Sequence, residues 1–504
     1  SEAASLAGHL QLSKLIYFYD DNHITIDGST ELAFTEDRGK RFEAYGWQVL
    51  HVADGNNVAE IDQAIVAAKA DPRPSLIICR THIGYGLPTR QDTSKAHGEP
   101  PGEEELLGAK KKLGWESEEK FFIPQDTLQF YRQAVSKGAE EEAAWKLLFK
   151  NYQAAHPMEA ADLERRAAGT LPAEWDADIP VFPTDAKGMA TRAASGKVLN
   201  AIAQRMPELL GGSADLAPSN NTWLQNQPAF QKDTPEGRNF HFGVREHGMG
   251  AVVNGMAYHG CVRPYGATFL VFSDYMRGAL RISAISHLNS IWVFTHDSIG
   301  LGEDGPTHQP VEQLLALRAI PNMVTIRPAD ANETAAAWKT AVENRHGPMS
   351  LILTRQAVPT LDRTIYANAE NLNKGAYILA DLGEKKPDII LIGSGSEVSL
   401  IVEAGEALAK EGVNVRLVSF PSWELFKKQS KDYQRSVFPD NIKTRLAVEA
   451  GVSIGWKEWV GDSGIVLGVD KYGASAPYKE LFAHYGLTVE HVLEEAHKLL
   501  AGGR

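Results

Sequence analysis

Cysteine is almost missing from this sequence: of 504 residues only Cys79 and Cys261 carry a thiol. No disulfide framework can be built on so few, and two isolated thiols suit a reducing compartment. No apolar run approaches the ~20 residues that span a bilayer, so no membrane association is predicted. The opening SEAASLAGHL is neither basic nor strongly apolar and does not read as a secretory signal. The expected location is the cytoplasm. Positive charge is also in deficit, with 51 Lys+Arg against 64 Asp+Glu and a formal net charge of −13. That excludes a general nucleic-acid binder, whose phosphate contacts need a basic face. It does not exclude a small anionic ligand, because a few placed Arg and His residues make a local positive pocket on an acidic surface. Ser1 has no Met before it, and EAASLAGHL reads as the middle of a packed helix. The chain is therefore expected to open inside a domain.

The residues that are present have the balance of a globular protein, 43% hydrophobic and 23% charged. At roughly 100–200 residues per domain the length allows about three domains. Apolar β-like runs alternate with runs of helical period, the pattern of parallel α/β architecture. Strands are predicted at 14–20, 47–52 and 75–81, with a helix over 58–70 and a long helical stretch over 126–156. Residues 157–187, rich in Ala, Pro and Asp, read as a linker. A second α/β region follows, with helices over 191–206, 245–259 and 332–344. Its predicted strands are 208–212, 291–297, 323–326 and 349–354, and the softer stretch 357–374 ends it. A third region begins near Gly375, with a strand at 388–392 running into a glycine-rich turn, a helix to Lys410 and a strand over 413–420. The fold class is thus α/β, as three consecutive open, mostly parallel domains. The boundaries are 1–157, a linker over 158–187, then 188–360 and 375–504.

Three stretches carry chemistry. In His241-Phe-Gly-Val-Arg-Glu-His-Gly-Met249, Glu246 falls in the first turn of a predicted helix. A carboxylate there can simply complement the helix dipole. Downstream lies Gly266-Ala-Thr-Phe-Leu-Val-Phe-Ser-Asp-Tyr275. Its aromatics at 269, 272 and 275 would share one face of a helix, as core packing or as a wall for a flat ring. Then comes Thr295-His-Asp-Ser-Ile-Gly-Leu-Gly-Glu-Asp-Gly-Pro-Thr-His-Gln309, a strand end running into a loop with two histidines, three acids and three glycines. In parallel sheets ligands bind at the carboxyl ends of strands, so this reads as a catalytic loop.

Together GVREHGMG, GATFLVFSDY and THDSIGLGEDGPTHQP resemble the pyrimidine-binding domain of transketolases. EAASLAGHL, YDDNHITIDG, AHGEP and LGGSADLAPSN resemble the same family in order and spacing, and IGSGSEV adds a weaker match. The resemblance implies reversible transfer of a two-carbon ketol unit from a ketose phosphate to an aldose phosphate, in the pentose phosphate or Calvin pathway. It implies thiamine diphosphate and a divalent cation, Mg²⁺ or Ca²⁺, as cofactors. It also implies a homodimer, with the cofactor between the diphosphate domain of one subunit and the pyrimidine domain of the other.

Residue by residue, Glu246 matches the carboxyl that shares a proton with the aminopyrimidine, a role a raised pKa would suit. Phe269, Phe272 and Tyr275 match the aromatics that hold the ring, and Asp215 another cofactor contact. His308, His97 and Asp304 match groups that bond sugar hydroxyls and shuttle protons, His97 also touching the cofactor. Arg192, Ser219, His296 and Arg355 match the phosphate site, where charge-assisted hydrogen bonds would seat the anion. Asn22 and the carbonyl of Ile24 match oxygen ligands of the cation. Taken alone, an Asp-Asp-Asn turn reads as a plain loop, Arg192 as a surface helix residue and Ser219 as a turn cap.

The family's motif opens with Gly-Asp-Gly upstream of that Asn, and residues 1–21 do not contain it. This chain is therefore expected to hold part of the metal site, and a sheet with an exposed edge and apolar faces. His23 stands where many relatives have Gly. The alternative reading is a non-catalytic transketolase-like protein that acts through association. Deoxyxylulose-phosphate synthases and 2-oxoacid dehydrogenases fit SADLAPSN and GLGEDGPTHQ less well.

Overall fold

The structure is a computed structural model and describes residues 1–502. The chain forms two compact units, the first made of Ser1–Ala161 with Gln231–Asp233 and the second of the remainder. In the first unit, β1 (Ile16–Asp21), β2 (Gln48–Val52) and β3 (Ser75–Arg80) form a parallel sheet in the order β1-β3-β2. Alternation along the apolar run of β3 serves both faces, as a central parallel strand requires. Ile77 and Cys79 pack with Ala64 and Ala68 of the helix Val58–Ala70. Leu76 and Ile78 pack on the other side with Ala7 and Trp47. The edge strand β1 exposes Tyr17 and Phe18, and the long helix Gln125–Ala155 buries none of its residues.

The second unit holds two sheets. β4 (Leu209–Ser213), β5 (Asn239–His241), β6 (Arg263–Phe269), β7 (Ile291–Thr295), β8 (Val324–Ile326) and β9 (Met349–Leu353) run parallel in the order β8-β9-β7-β6-β4-β5. All residues of the central strands β6 and β7 are buried. β10 (Tyr377–Leu382), β11 (Ile389–Gly393), β12 (Val415–Ser419), β13 (Arg445–Val448) and β14 (Ile465–Leu467) follow in the order β10-β12-β11-β13-β14. Only the edge pair β10–β12 is antiparallel. No helix among the described residues is long and apolar enough to cross a membrane.

The stretch read as a linker is partly regular. Pro157–Ala167 is a helix, and Asp185–Ala190 pairs antiparallel with Ala357–Thr360, so the softer stretch also contributes a strand. Between them Trp175 and Phe182 are buried. The Asn332 side chain clamps the Phe182 backbone, accepting from its N–H and donating to its carbonyl, both at 2.9 Å. Short apolar anchors of this kind carry no periodic signal.

A buried charge network joins the two sheets of the second unit. Arg327, just past β8, is fully buried. Its Nε donates to Asp297 at 2.9 Å, its Nη1 donates to the Ser394 carbonyl at 2.7 Å, and it pairs with Glu397. Glu397 in turn accepts from the Ala450 N–H at 2.9 Å. Beside it Glu449 takes both Arg318 nitrogens, at 2.7 and 2.8 Å, and the Trp456 indole N–H at 2.9 Å. Burial pushes the Glu449 carboxyl up, but Arg318 and Arg327 outweigh it and hold the group below its usual range. Gly395 has φ +53, and a Cβ there would lie 2.5 Å from the Arg327 guanidinium carbon, so the turn after β11 is shaped to admit this side chain. Removing one partner of such a group leaves a buried charge uncompensated. Arg327→Met should therefore destabilise the protein by about 3–5 kcal/mol in urea unfolding. Lys427→Met, which breaks an exposed pair with Glu458, should cost no more than ~1 kcal/mol. Equal effects would show that the buried network does not join the domains.

Candidate active site

The chemistry-bearing residues of the second unit gather where its first sheet ends. Five parallel strands, β4, β5, β6, β7 and β9, deliver their C-terminal loops to one edge. These loops carry Asp215, Glu246, Phe272 with Tyr275, the stretch from His296 to His308, and Arg355. Ligands bind at this edge of an open parallel sheet because the strand ends diverge into loops there. Asp215 sits exposed two residues past β4 with φ +61. Glu246 opens the helix Glu246–His259, where a carboxylate complements the dipole, and it is 8% exposed.

The aromatic stretch differs from its predicted form. Phe269 is the last residue of β6, and Leu270–Met276 is a 3₁₀ helix rather than an α-helix. The regular spacing survives, because three residues per turn align side chains three apart more closely than an α-helix does. Phe269 and Phe272 stack at 5.7 Å between centroids, and Tyr275 continues the row 5.9 Å from Phe272. His296 lies over Phe269 at 3.6 Å, while His308 stands edge-on to Phe272 at 5.5 Å and to Phe269 at 6.3 Å. Both loop histidines thus meet the aromatic row. A flat apolar row at the same sheet edge as a buried carboxyl could serve as a wall for an aminopyrimidine ring.

A cationic patch adjoins the row. Arg192 is the second residue of the helix Thr191–Arg205, and its Nη1 donates to the Ser219 carbonyl at 2.6 Å. Arg355 follows β9 and donates to the Leu301 carbonyl at 2.8 Å. Burial lowers the Arg192 pKa and Arg355 lowers it further, partly offset by Asp304. The same arginines act on His296. Burial first, then Arg192, Arg355 and His308, lower its pKa from 6.5 to about 3. Its hydrogen bonds assign the tautomer. Thr295 Oγ1 lies 2.7 Å from Asn220 Oδ1 and 2.8 Å from His296 Nδ1. The Asn220 amide is oriented by Nδ2 donating to Ser213 Oγ at 3.1 Å. The single Thr295 hydrogen goes to the Asn220 oxygen, so Nδ1–H donates to Thr295 and Nε2 is left as an acceptor. Two guanidiniums and an imidazole facing one another, with only a long 3.9 Å contact from Glu303 to Arg355 and the field of Asp304 against them, could receive an anion.

Asn22, Ile24 and His97 belong to the first unit. Asn22 directly follows β1 and opens a turn in which its Oδ1 accepts the Ile24 N–H at 2.9 Å across His23, whose φ is +63. This is an Asx-type turn. An amide oxygen has two lone pairs, so one stays available to a cation. No group of three or more His, Cys, Asp or Glu among the described residues could hold a metal. His97 is exposed and caps the short 3₁₀ turn Ser94–Ala96.

Several groups that shape the site do not stand out in the sequence. Asn220 and Thr295 fix the His296 tautomer, and Arg327 holds Asp297, the residue after His296. Gln309 Nε2 donates to the Gly302 and Ala474 carbonyls, both at 2.8 Å, and Ser475 donates to the Glu303 carbonyl, tying the loop to the last domain. Gly302, at φ +94, makes the left-handed turn that this path needs. The glycine-rich stretch after β11 was the one available signal, and its use is to admit Arg327.

The chain matches the transketolase thiamine diphosphate binding domain over residues 1–172. It matches the transketolase pyrimidine binding domain over 187–360 and the transketolase-like C-terminal domain over 375–488. It is 50% identical to a transketolase of Aquifex aeolicus over 97% of this chain and 70% of that protein. A transketolase structure from Leishmania mexicana superposes with a TM-score of 0.94 at 41% identity, over 99% of this chain and 73% of that one. A transketolase from Pichia stipitis in complex with sedoheptulose 7-phosphate gives 0.94 at 43% identity, over 99% and 74%. These matches favour the catalytic reading over the non-catalytic alternative. The chain belongs to the transketolase family, thiamine-diphosphate enzymes that reversibly transfer a two-carbon ketol unit from a ketose phosphate to an aldose phosphate.

Proposed function

We propose that the residues gathered at the strand ends carry this transfer, in a chain dividing into domains at 1–157, 188–360 and 375–504. The observation that supports it best is the meeting of His296 and His308 on the aromatic row beside Arg192 and Arg355. When bound, thiamine diphosphate supplies the carbon nucleophile and the electron sink. Phe269, Phe272 and Tyr275 would hold its ring and keep water from one face, and Asp215 would add a polar contact. Glu246 would hold a proton on its carboxyl oxygen toward the ring nitrogen, in a buried position where that proton is not lost to water. His308, His97 and Asp304 would bond substrate hydroxyls, the histidines carrying protons on and off. Asn22 Oδ1 and the Ile24 carbonyl would be ligands of Mg²⁺ or Ca²⁺, hard cations that take oxygen donors. A cytoplasmic location completes the reading.

Arg192, Arg355, His296 and Ser219 would receive the substrate phosphate. Arg355→Ala should weaken phosphorylated substrates by about 2–5 kcal/mol while leaving non-phosphorylated ketoses nearly unchanged. Equal losses on both would remove Arg355 from the phosphate site. His296 gives a second readout. Its folded pKa lies below its unfolded value of 6.5, so its burial as the neutral base adds stability that is present above 6.5 and is lost as the pH falls toward about 3. Inorganic phosphate should raise the His296 pKa in an NMR titration, because an anion cancels the field of the two arginines. An unmoved pKa would count against the assignment.

Glu246→Gln keeps size and hydrogen bonding but loses the shared proton. Exchange of the thiamine C2 proton in deuterated water should slow by ~10²–10⁴, the usual range for acid–base help. A purely structural Glu246 predicts ~1 kcal/mol of stability or less and unchanged exchange. Wild-type exchange in the variant would exclude the proton-sharing role.

A homodimer is the assembly we infer. Along the helix Glu246–His259, Ala251, Gly255 and Tyr258 are exposed, and Val244 before it is 75% exposed. A Cβ on Gly255 would meet nothing within 4 Å, so nothing inside this chain requires glycine there. Close approach of a second copy would. Sedimentation should show a dimer, and a stable monomer that still binds thiamine diphosphate would refute this.

A further inference from the structure

β6 has two ends. Phe269 closes it at the candidate active site, and Arg263 opens it at the opposite edge of the sheet. A cavity of about 270 Å³ lies at that opposite edge. Its wall comes from the former linker, Arg166 to Leu171, from Ala257 and Gly260–Arg263 after the helix Glu246–His259, and from Asn289 and Arg345. None of the residues assigned to the transfer reaction lines it.

The charges on this wall are not balanced. Arg166 is paired with Asp162 at 2.6 Å, and Glu208, which also lines the cavity, is held through Oε1 by Arg165 at 2.6 Å while its Oε2 makes no hydrogen bond. Arg263 and Arg345 have no carboxylate within ion-pair distance among the described residues. Arg263 is only 5% exposed, and its side chain makes one protein hydrogen bond, from Nη1 to the Asn344 carbonyl at 3.1 Å. A guanidinium has five N–H donors, and Nε and Nη2 of Arg263, which make no protein hydrogen bond, are not sealed from solvent and so can meet a ligand in the recess. Burial lowers the Arg263 pKa, and Arg345 lowers it further while Glu208 partly offsets them. Two like charges at close quarters in a recess are stabilised by an anion between them, as at any paired-arginine site.

We propose that this cavity is a binding site for a small phosphate ester, with Arg263 as the buried anchor and Arg345 as the arm at its mouth. The planar, many-donor guanidinium suits the oxygens of a phosphate, and the volume limits the ligand to a short-chain ester.

Cys261 lines the same cavity and is half-buried, while the other thiol, Cys79, is buried in the first unit. The rate at which an uncharged reagent, 4,4′-dithiodipyridine, modifies Cys261 therefore reports on this cavity and not on the candidate active site. Glycerol phosphate should slow that modification in a saturable way, by about ten-fold when the ester is present at ten times its dissociation constant. Glycerol alone, and sodium chloride at matched ionic strength, should not. Arg345→Ala, a change at an exposed position, should raise the half-protecting concentration about ten-fold or more, and Arg263→Gln should abolish protection. An unchanged rate with glycerol phosphate would overturn the proposal. So would equal protection by sodium chloride, or protection that persists undiminished in Arg345→Ala.

Discussion

The guanidinium of Arg327 is withdrawn from water between two sheets, and three carboxylates and a serine carbonyl are arranged around it. An isolated charge in such a place would cost many kcal/mol by Born solvation. Its partners therefore come as a set, and they come from different parts of the chain. Asp297 is in the loop after β7, Glu397 follows β11, and Glu449 follows β13. Satisfying Arg327 thus fixes the position of the last domain against the loop that carries His296. The direct ties from Gln309 and Ser475 add to the same attachment. The last domain contributes none of the residues assigned to the chemistry, yet its hydrogen bonds hold the loop between His296 and His308.

That rigidity gives His296 its properties. The loop holds the ring against Phe269, with Nδ1 committed to Thr295 and two arginines nearby. A histidine free in solution would titrate near neutrality. Here burial and the neighbouring positive charge keep it neutral, beside two permanent cations. On the proposed reading the arginines would distinguish phosphorylated substrates from plain sugars.

Most of the architecture could be read from the sequence. The strands read at 208–212, 291–297, 323–326 and 349–354 and the helix Val58–Ala70 follow from periodicity, whereas the buried strand Arg263–Phe269, read in part as a helix, was missed. The candidate site residues came less from physics than from resemblance. Glu246 alone reads as a helix-dipole partner, Asn22 as a turn and Arg192 as a surface residue. Where the reading differed from the structure, the cause was local. Pro157–Ala167 folds as a helix inside a stretch whose Ala, Pro and Asp content suggests a linker. Phe269 ends a strand while Phe272 and Tyr275 sit on a 3₁₀ helix, a difference that a spacing of three does not reveal.

The sequence by itself determined the α/β class, the order of the three regions and the family, since each rests on a pattern of neighbouring residues. Spacing in the chain also determined that Phe269, Phe272 and Tyr275 would align. Only the tertiary structure decided which distant residues share an environment. It brought Arg192 and Arg355 to His296, made Nδ1 of that ring a donor through Asn220, and left Arg263 buried with one acceptor. The physical reason is that protonation state, desolvation and charge balance are set by groups far apart in the chain. Those groups meet only when the parallel strands deliver their loops to one edge of the sheet.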